Sequence, residues 1–485
     1  MKIFENKLLS TVLTLFLIFV FLAIFYFDKA LLAGLIFVGI LIAFTFLTLK
    51  KYNLLNKQVS IIFWFAFLTH FSLALLMYYL NFHPLGQGDF ILYQEIAEKV
   101  FQRIRSGIFY LDGLNYLHYY PVLIGAIYSL TMPKMIIGQI FSAWLAGISV
   151  LFAYFLMVEI GSSKKTAFLV SAIICFYPSF IYFGSLMLKD TVVLPLVLFG
   201  LLLSVRMFKN YSPLKFFAFF IILTFIIHLR FYIGFALMFS FIFCWFLISN
   251  LKIKKRIVYG FIFIFILGFC PYIIGYGYYG SVPLKGYLNK KTITTYREIV
   301  YAPNPSVVSN AEGVLTSSSG SGYSYSSGVE SSFVIKTGLE ESNAKFIKNY
   351  FVSFVCAFLG PFPWQLKTSK HLLFLIETIP WYFLLCLILW GIFKSFKTTG
   401  FFLTVSHYRF SLILLLFSAI ALGALSLFIN NFGIIVRIRI PAVISLLCLL
   451  GLDKNIDNII NKLTNYLYEK KFVKFFSLSG LRRKS

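Results

Sequence analysis

The sequence predicts an all-α polytopic integral membrane protein, and three observations carry that prediction. Of 485 residues, 60% are hydrophobic and 20% aromatic, against about 45–50% apolar in a soluble globular chain. Runs of roughly 20 apolar residues recur, each long enough to cross the hydrocarbon layer as a helix. Lys and Arg gather in particular connections between the runs, as in "LKKYNLLNK" (49–57) and "LKIKKR" (251–256), an asymmetry that orients membrane helices.

The elements follow in order. Spanning helices are expected near 8–27, 30–49, 59–80, 135–158, 166–187, 190–207, 213–228, 231–250, 256–276, 371–395, 408–429 and 439–452. The opening "MKIFENKLLSTVLTLFLIFVFLAIFYF" has a charged head and an apolar run with no small-residue cleavage site after it, which predicts a retained first span. The stretch 120–132, bounded by Pro121 and Pro133, is too short to cross and suits a re-entrant or interfacial segment. With that stretch not crossing, Lys164, Lys165, "RMFKN" (206–210), "LKIKKR" and "FKSFK" (393–397) all fall on the inner face. About twelve spans follow (range 10–13), with both ends cytoplasmic in the plasma membrane.

The expected organisation is two N-terminal membrane helices (1–58) and a membrane core (59–276) whose external acidic loop covers 82–119. After these come an external Gly/Ser-rich loop with an interfacial helix (277–370), C-terminal membrane helices (371–452) and a basic cytoplasmic tail (453–485). Within the external loop, "KNYFVSFVCAFLGPFPWQL" (348–366) reads as an interfacial helix broken at Gly360–Pro361.

The net charge of +26 in a soluble chain would point to nucleic acid. Here it reads as topology and contact with anionic headgroups, with membrane lipid and no nucleic acid as partner. The six cysteines scatter through apolar runs with neither metal-ligand spacing nor a disulfide framework. No P-loop, Rossmann fingerprint, GxSxG or HExxH occurs, which leaves hydrolysis of a cytosolic nucleotide unsupported.

One segment breaks the apolar pattern: "HPLGQGDFILYQEIAEKVFQRIRSGIFYLDGLNYLHYYP" (83–121). Apolar residues at 90, 93, 96, 97, 100, 101 and 104 have helical spacing, with Glu95, Glu98, Lys99, Gln102, Arg103 and Arg105 opposite. Asp89, beside Gly86 and Gly88, is then either a helix N-cap or a general base at the membrane surface. Asp190 marks the junction of two spans on the same face, either as a functional acid or as a turn residue paired with Lys189. Arg437 and Arg439 in "NNFGIIVRIRIP", and His228 and Arg230 in "IIHLRFY", end other outer junctions. The guanidinium fork suits phosphate oxygens, although Arg also snorkels to headgroups. Tyr110, Tyr116, Tyr119, Tyr120 and His118, and separately Trp364, suit an interfacial aromatic belt or stacking on sugar.

Together, "GDFILYQEIAEKVFQRIRSGIFY…YYPVLIGAIYSL" (88–130), "YPSFIYFGSLMLKD" (177–190) and "RIRIP" (437–441) resemble the GT-C superfamily of membrane glycosyltransferases. The resemblance implies transfer of a sugar from a polyprenyl-phosphate-linked donor to a glycan, lipid or protein acceptor at the outer face. It implies Asp89 as catalytic carboxylate and Asp190 as second acid, with Arg437 and Arg439 on the lipid phosphate. Lys189, His228, Arg230, Tyr93 and Tyr120 complete the expected substrate contacts. A lone second acid, without a paired motif, leaves a divalent metal an open expectation. The same residues are also similar to those of repeat-unit polymerases of the O-antigen or capsule type. A lipid-linked glycan flippase or transporter is a third reading, and it predicts ionisable residues at mid-membrane depth.

Overall fold

The computed structural model describes residues 26–84, 88–110, 119–269, 286–289, 292–294, 342–365, 375–399, 408–429 and 432–452. Almost all of the expected first span, the Gly/Ser-rich middle of 277–370, Tyr116, His118 and the basic tail lie outside these residues. Among the described residues all regular structure is helical.

The first pair is α1 (Lys29–Lys51) and α2 (Lys57–Tyr79). Each starts at a side-chain cap: Asp28 accepts from the amides of Ala30 and Leu31, and Asn56 from that of Val59. Next come α3 (Asp89–Arg105) and α4 (Tyr119–Leu130), then the long α5 (Met135–Ile160). They are followed by α6 (Lys164–Cys175), α7 (Pro178–Gly184), α8 (Asp190–Lys209), α9 (Pro213–Leu229), α10 (Phe231–Ile248) and α11 (Ile253–Phe269). The last group is α12 (Asn343–Leu359), α13 (Leu375–Thr399), α14 (Leu412–Phe428), α15 (Phe432–Ile438) and α16 (Ile440–Leu447), the last running into a 3₁₀ turn over Cys448–Leu452.

Seven of these helices are long and apolar enough to cross a membrane, or eight if the bent pair α6–α7 counts as one span. The described residues therefore do not reach the twelve spans expected. The stretch expected as one helix over 166–187 bends by 64° between α6 and α7. Pro178 is the cause, because its ring excludes the helical conformation at Tyr177, which is extended (φ −67°, ψ 116°). Helix α9 has 17 residues, about 25 Å at 1.5 Å per residue, short of a ~30 Å hydrocarbon layer. The described part of α4, over the stretch 120–132, has 12 residues and ends at Leu130. The expected break at Gly360–Pro361 is present, with α12 ending at Leu359 and a 3₁₀ turn at Pro363–Gln365.

Helix α5 is the centre of the fold. It is apolar on every face and buried on nearly all of them, against α1, α2 and α8. Around it, α3 and α4 form a helical hairpin. The apolar stripe read from the sequence is the packed face, with Phe90, Tyr93, Ile96, Ala97 and Val100 buried. Gly125 permits the close approach: a Cβ there would lie 2.5 Å from Val100 Cβ and 2.9 Å from the Ala97 carbonyl oxygen.

Charge divides the molecule into two ends. At one, Glu159 pairs with Arg206 (3.0 Å) and Lys209 (3.1 Å), and Arg409 donates to the Ser249 carbonyl (3.2 Å). At the other meet the N-termini of α3, α8 and α10 and the break between α15 and α16.

Candidate active site

At this second end the sequence places a charged residue on each incoming element. Asp89 is the first residue of α3, and Gly88, without a side chain to cap with, is the N-cap. The Asp89 carboxylate is therefore not a helix cap. Asp190 opens α8 with Lys189 before it, Arg230 is the single extended residue between α9 and α10, and Arg437 lies at the end of α15.

These side chains form one ionic cluster. Arg230 grips Asp190 in a bidentate fork, Nε to Oδ1 at 2.8 Å and Nη2 to Oδ2 at 2.9 Å. Arg437 bridges the two acids, with Nη2 donating to Asp89 Oδ2 at 2.8 Å. Its Nε lies 3.1 Å from Asp190 Oδ2 but off the hydrogen-bonding line, since that N–H has no hydrogen-bond partner. Asp190 is thus paired with Arg230 and not with its neighbour Lys189. The Lys189 ammonium, 5% exposed, makes no ion pair among the described residues. Burial and the charge of Arg230 push it well below the usual lysine range, with Asp190 and Asp89 opposing. Such a cation gains from an arriving anion.

Solvent reaches the cluster at one carboxylate. The Asp89 side chain is 34% exposed, against 14% for Asp190, 11% for Arg230 and 12% for Arg437. Burial raises the Asp89 carboxyl, but the charge and hydrogen bond of Arg437, with Arg230 and Lys189, outweigh it and hold the group below the ordinary carboxylate range. Tyr93 and Tyr120 wall the site from beneath, both buried, their rings edge to face at 5.5 Å. Beside the cluster lies a cavity of about 20 Å³, room for one water-sized group. Asp190, Arg230, Arg437 and Thr191 line it together with the apolar Phe180, Phe183, Ile233, Ile438 and Pro441. A lining that mixes charged and apolar side chains suits an amphiphile with an anionic head.

Not every expected residue joins. Arg437 and Arg439 do not act as one clamp, because Arg437 ends α15 on the two acids while Arg439, at the break before α16, has other partners. Arg439, 1% exposed, turns to Glu377 (2.7 Å) and to the carbonyls of Ala357 (3.2 Å) and Gly360. His228 is turned onto its own helix, Nδ1 2.7 Å from the Thr224 carbonyl, with its ring 6.2 Å from that of Tyr119. Glu377 was missed in the sequence reading, although a lone acid in an apolar run is a signal in itself. Among the described residues no three His, Cys, Asp or Glu side chains come together to hold a metal. Both site carboxylates are taken by guanidiniums, a donor set that does not fit a divalent ion. No protein-family model matches the chain, and no curated protein matches it.

Proposed function

We propose that the chain is a membrane glycosyltransferase that moves a sugar from a polyprenyl-phosphate-linked donor to an acceptor hydroxyl at the outer face of the cytoplasmic membrane. The observation that supports it best is the cluster itself: one solvent-reachable carboxylate, Asp89, near three basic side chains and a small cavity lined in part by apolar side chains. In this reading Lys189, Arg230 and Arg437 receive the donor phosphate, and the water-sized cavity beside them widens so that Phe180, Phe183 and Ile233 meet the first carbons of the lipid. The acceptor oxygen bonds to the anomeric carbon while the bond from that carbon to the phosphate oxygen breaks. The electron pair leaves on the phosphate, where the cations stabilise it, and the hydroxyl proton passes to Asp89. In the free chain Asp89 is a weak base, because Arg437 holds it ionised. A donor phosphate attracts the same guanidinium and frees the carboxylate when the acceptor arrives.

The experiment compares cells carrying wild type and Asp89→Asn at equal protein level, with surface glycans and lipid-linked sugars profiled together by mass spectrometry. The expected result is one sugar missing outside while its lipid-linked donor accumulates. Collapse of long chains to single repeats would assign the polymerase reaction instead. Profiles identical to wild type would remove Asp89 from the chemistry and the proposal with it.

A further inference from the structure

We propose that Glu377, buried in the first turn of α13, is a positioning residue that acts through Arg439 to set Arg437 on Asp89 and Asp190. Glu377 is 2% exposed in an apolar helix, and its carboxylate is fully occupied. Oε1 accepts from Arg439 Nη2 (2.7 Å) and the Tyr177 hydroxyl (2.5 Å), and Oε2 from the Ser179 amide (3.0 Å) and the Ser179 hydroxyl. Arg439 spends its other terminal nitrogen on the carbonyls that end α12. One carboxylate therefore ties together α7, α12, α13 and α16.

The two halves of the ion cluster both lead away from this latch. Arg437 stands two positions before Arg439, across the break between α15 and α16. Lys189 and Asp190 follow α7 after the short connection 185–188. Neither α15 nor α7 is long enough to hold its place alone, with seven residues each. A buried ion pair is a poor way to gain stability, since apolar replacements of the same volume often do as well. It does fix geometry, because the fork of Arg439 meets its three acceptors in one arrangement only. Arg439 is turned away from the cluster, so on the proposed path the effect of Glu377 on Asp89 passes through the backbone to Arg437.

The catalytic meaning of this latch rests on the reading above, but its geometry can be tested without any substrate. Dicyclohexylcarbodiimide modifies protonated carboxyls in membrane proteins, and peptide mass spectrometry reads the modification of Asp89. The groups that face Asp89 are Arg437, Arg230, Lys189 and Tyr93, and the full chain in lipid nanodiscs at pH 6 keeps them all. Arg437→Gln is expected to raise labelling of Asp89 by about tenfold or more, tenfold for each unit its pKa recovers. Glu377→Gln is expected to raise it comparably in protein that still unfolds cooperatively. The double variant should add nothing to Arg437→Gln, because both changes act on one interaction. Tyr177→Phe removes one of the donors to Glu377 and keeps the ion pair. It should give a smaller rise, and it carries the test if Glu377→Gln fails to assemble. Wild-type labelling in the folded Glu377→Gln or Tyr177→Phe protein, or effects that multiply in the double variant, would overturn the proposal. So would an Arg437→Gln protein whose Asp89 labels as in wild type. None of these outcomes depends on sugar transfer, which the glycan profile of Asp89→Asn decides separately.

Discussion

Two residues of the cluster make opposite demands on the fold. Asp89 is held ionised by Arg437, so its folded-state pKa lies below its unfolded value. Its contribution to stability is then fully present above the unfolded pKa of about 3.9 and is lost only as pH falls through the lower folded value. The melting difference between wild type and Asp89→Asn in detergent should therefore be constant from about pH 5 to pH 8 and shrink below about pH 4. Lys189 is the reverse case, a buried amine with no ion pair among the described residues. Lys189→Met should leave thermal stability equal or higher, because a buried amine without an ion partner among the described residues gives way to an apolar side chain of similar length. The same change should weaken the protection that farnesyl phosphate gives against thermal unfolding by about 10- to 100-fold in affinity, the loss of one charged hydrogen bond of roughly 1.5–3 kcal/mol. Asp89, Asp190, Arg230 and Arg437 were legible in the sequence because charges at the ends of apolar runs are rare and costly. Their pairing was not legible. Arg437 meets Asp89 across 348 positions and Arg439 meets Glu377 across 62, and nothing local records either contact.

At the scale of elements, periodicity carried further than length. The α3 stripe lies where 3.6-residue spacing puts it, since an amphipathic helix has one way to bury its apolar side. The apolar runs counted as spans were less informative, because a Pro or a few missing residues decides whether a run crosses, bends or stops, as at Pro178. The α3–α4 hairpin is the element on which Asp89 depends, and its tightest point is Gly125. The neighbouring Val100 is β-branched and the Ala97 carbonyl is backbone, so neither can move aside for a side chain. Gly125→Val should cost about 1–3 kcal/mol of stability through overpacking, measurable by thermal unfolding in detergent. Because the strain falls on α3, the proposed sugar transfer should drop more than the loss of folded protein explains. Equal losses would separate the hairpin from the placement of Asp89.

For the whole molecule the question is which way it sits. The ion cluster and the basic rim occupy opposite ends of the same helices. Helix α8 begins at Asp190 and ends at Arg206 and Lys209, which pair with Glu159 at the end of α5. The connections at that rim add Lys50, Lys51, Lys57, Lys164, Lys165, Lys252, Lys254 and Lys255. By the positive-inside rule such a bias favours the rim as the cytoplasmic face. We propose that orientation, which would put the cluster outside, where the proposed reaction lets Asp89 meet an acceptor while the lipid of the donor stays in the bilayer. Single cysteines in a background lacking the native ones decide the orientation. Met132→Cys, just before α5 at the cluster end, should react with a membrane-impermeant maleimide in intact cells. Lys252→Cys, at the basic rim, should react only after permeabilisation. The reverse pattern would turn Asp89 toward the cytoplasm, where the acceptor would have to be a cytosolic or inner-leaflet molecule and an external surface glycan could not be the direct product.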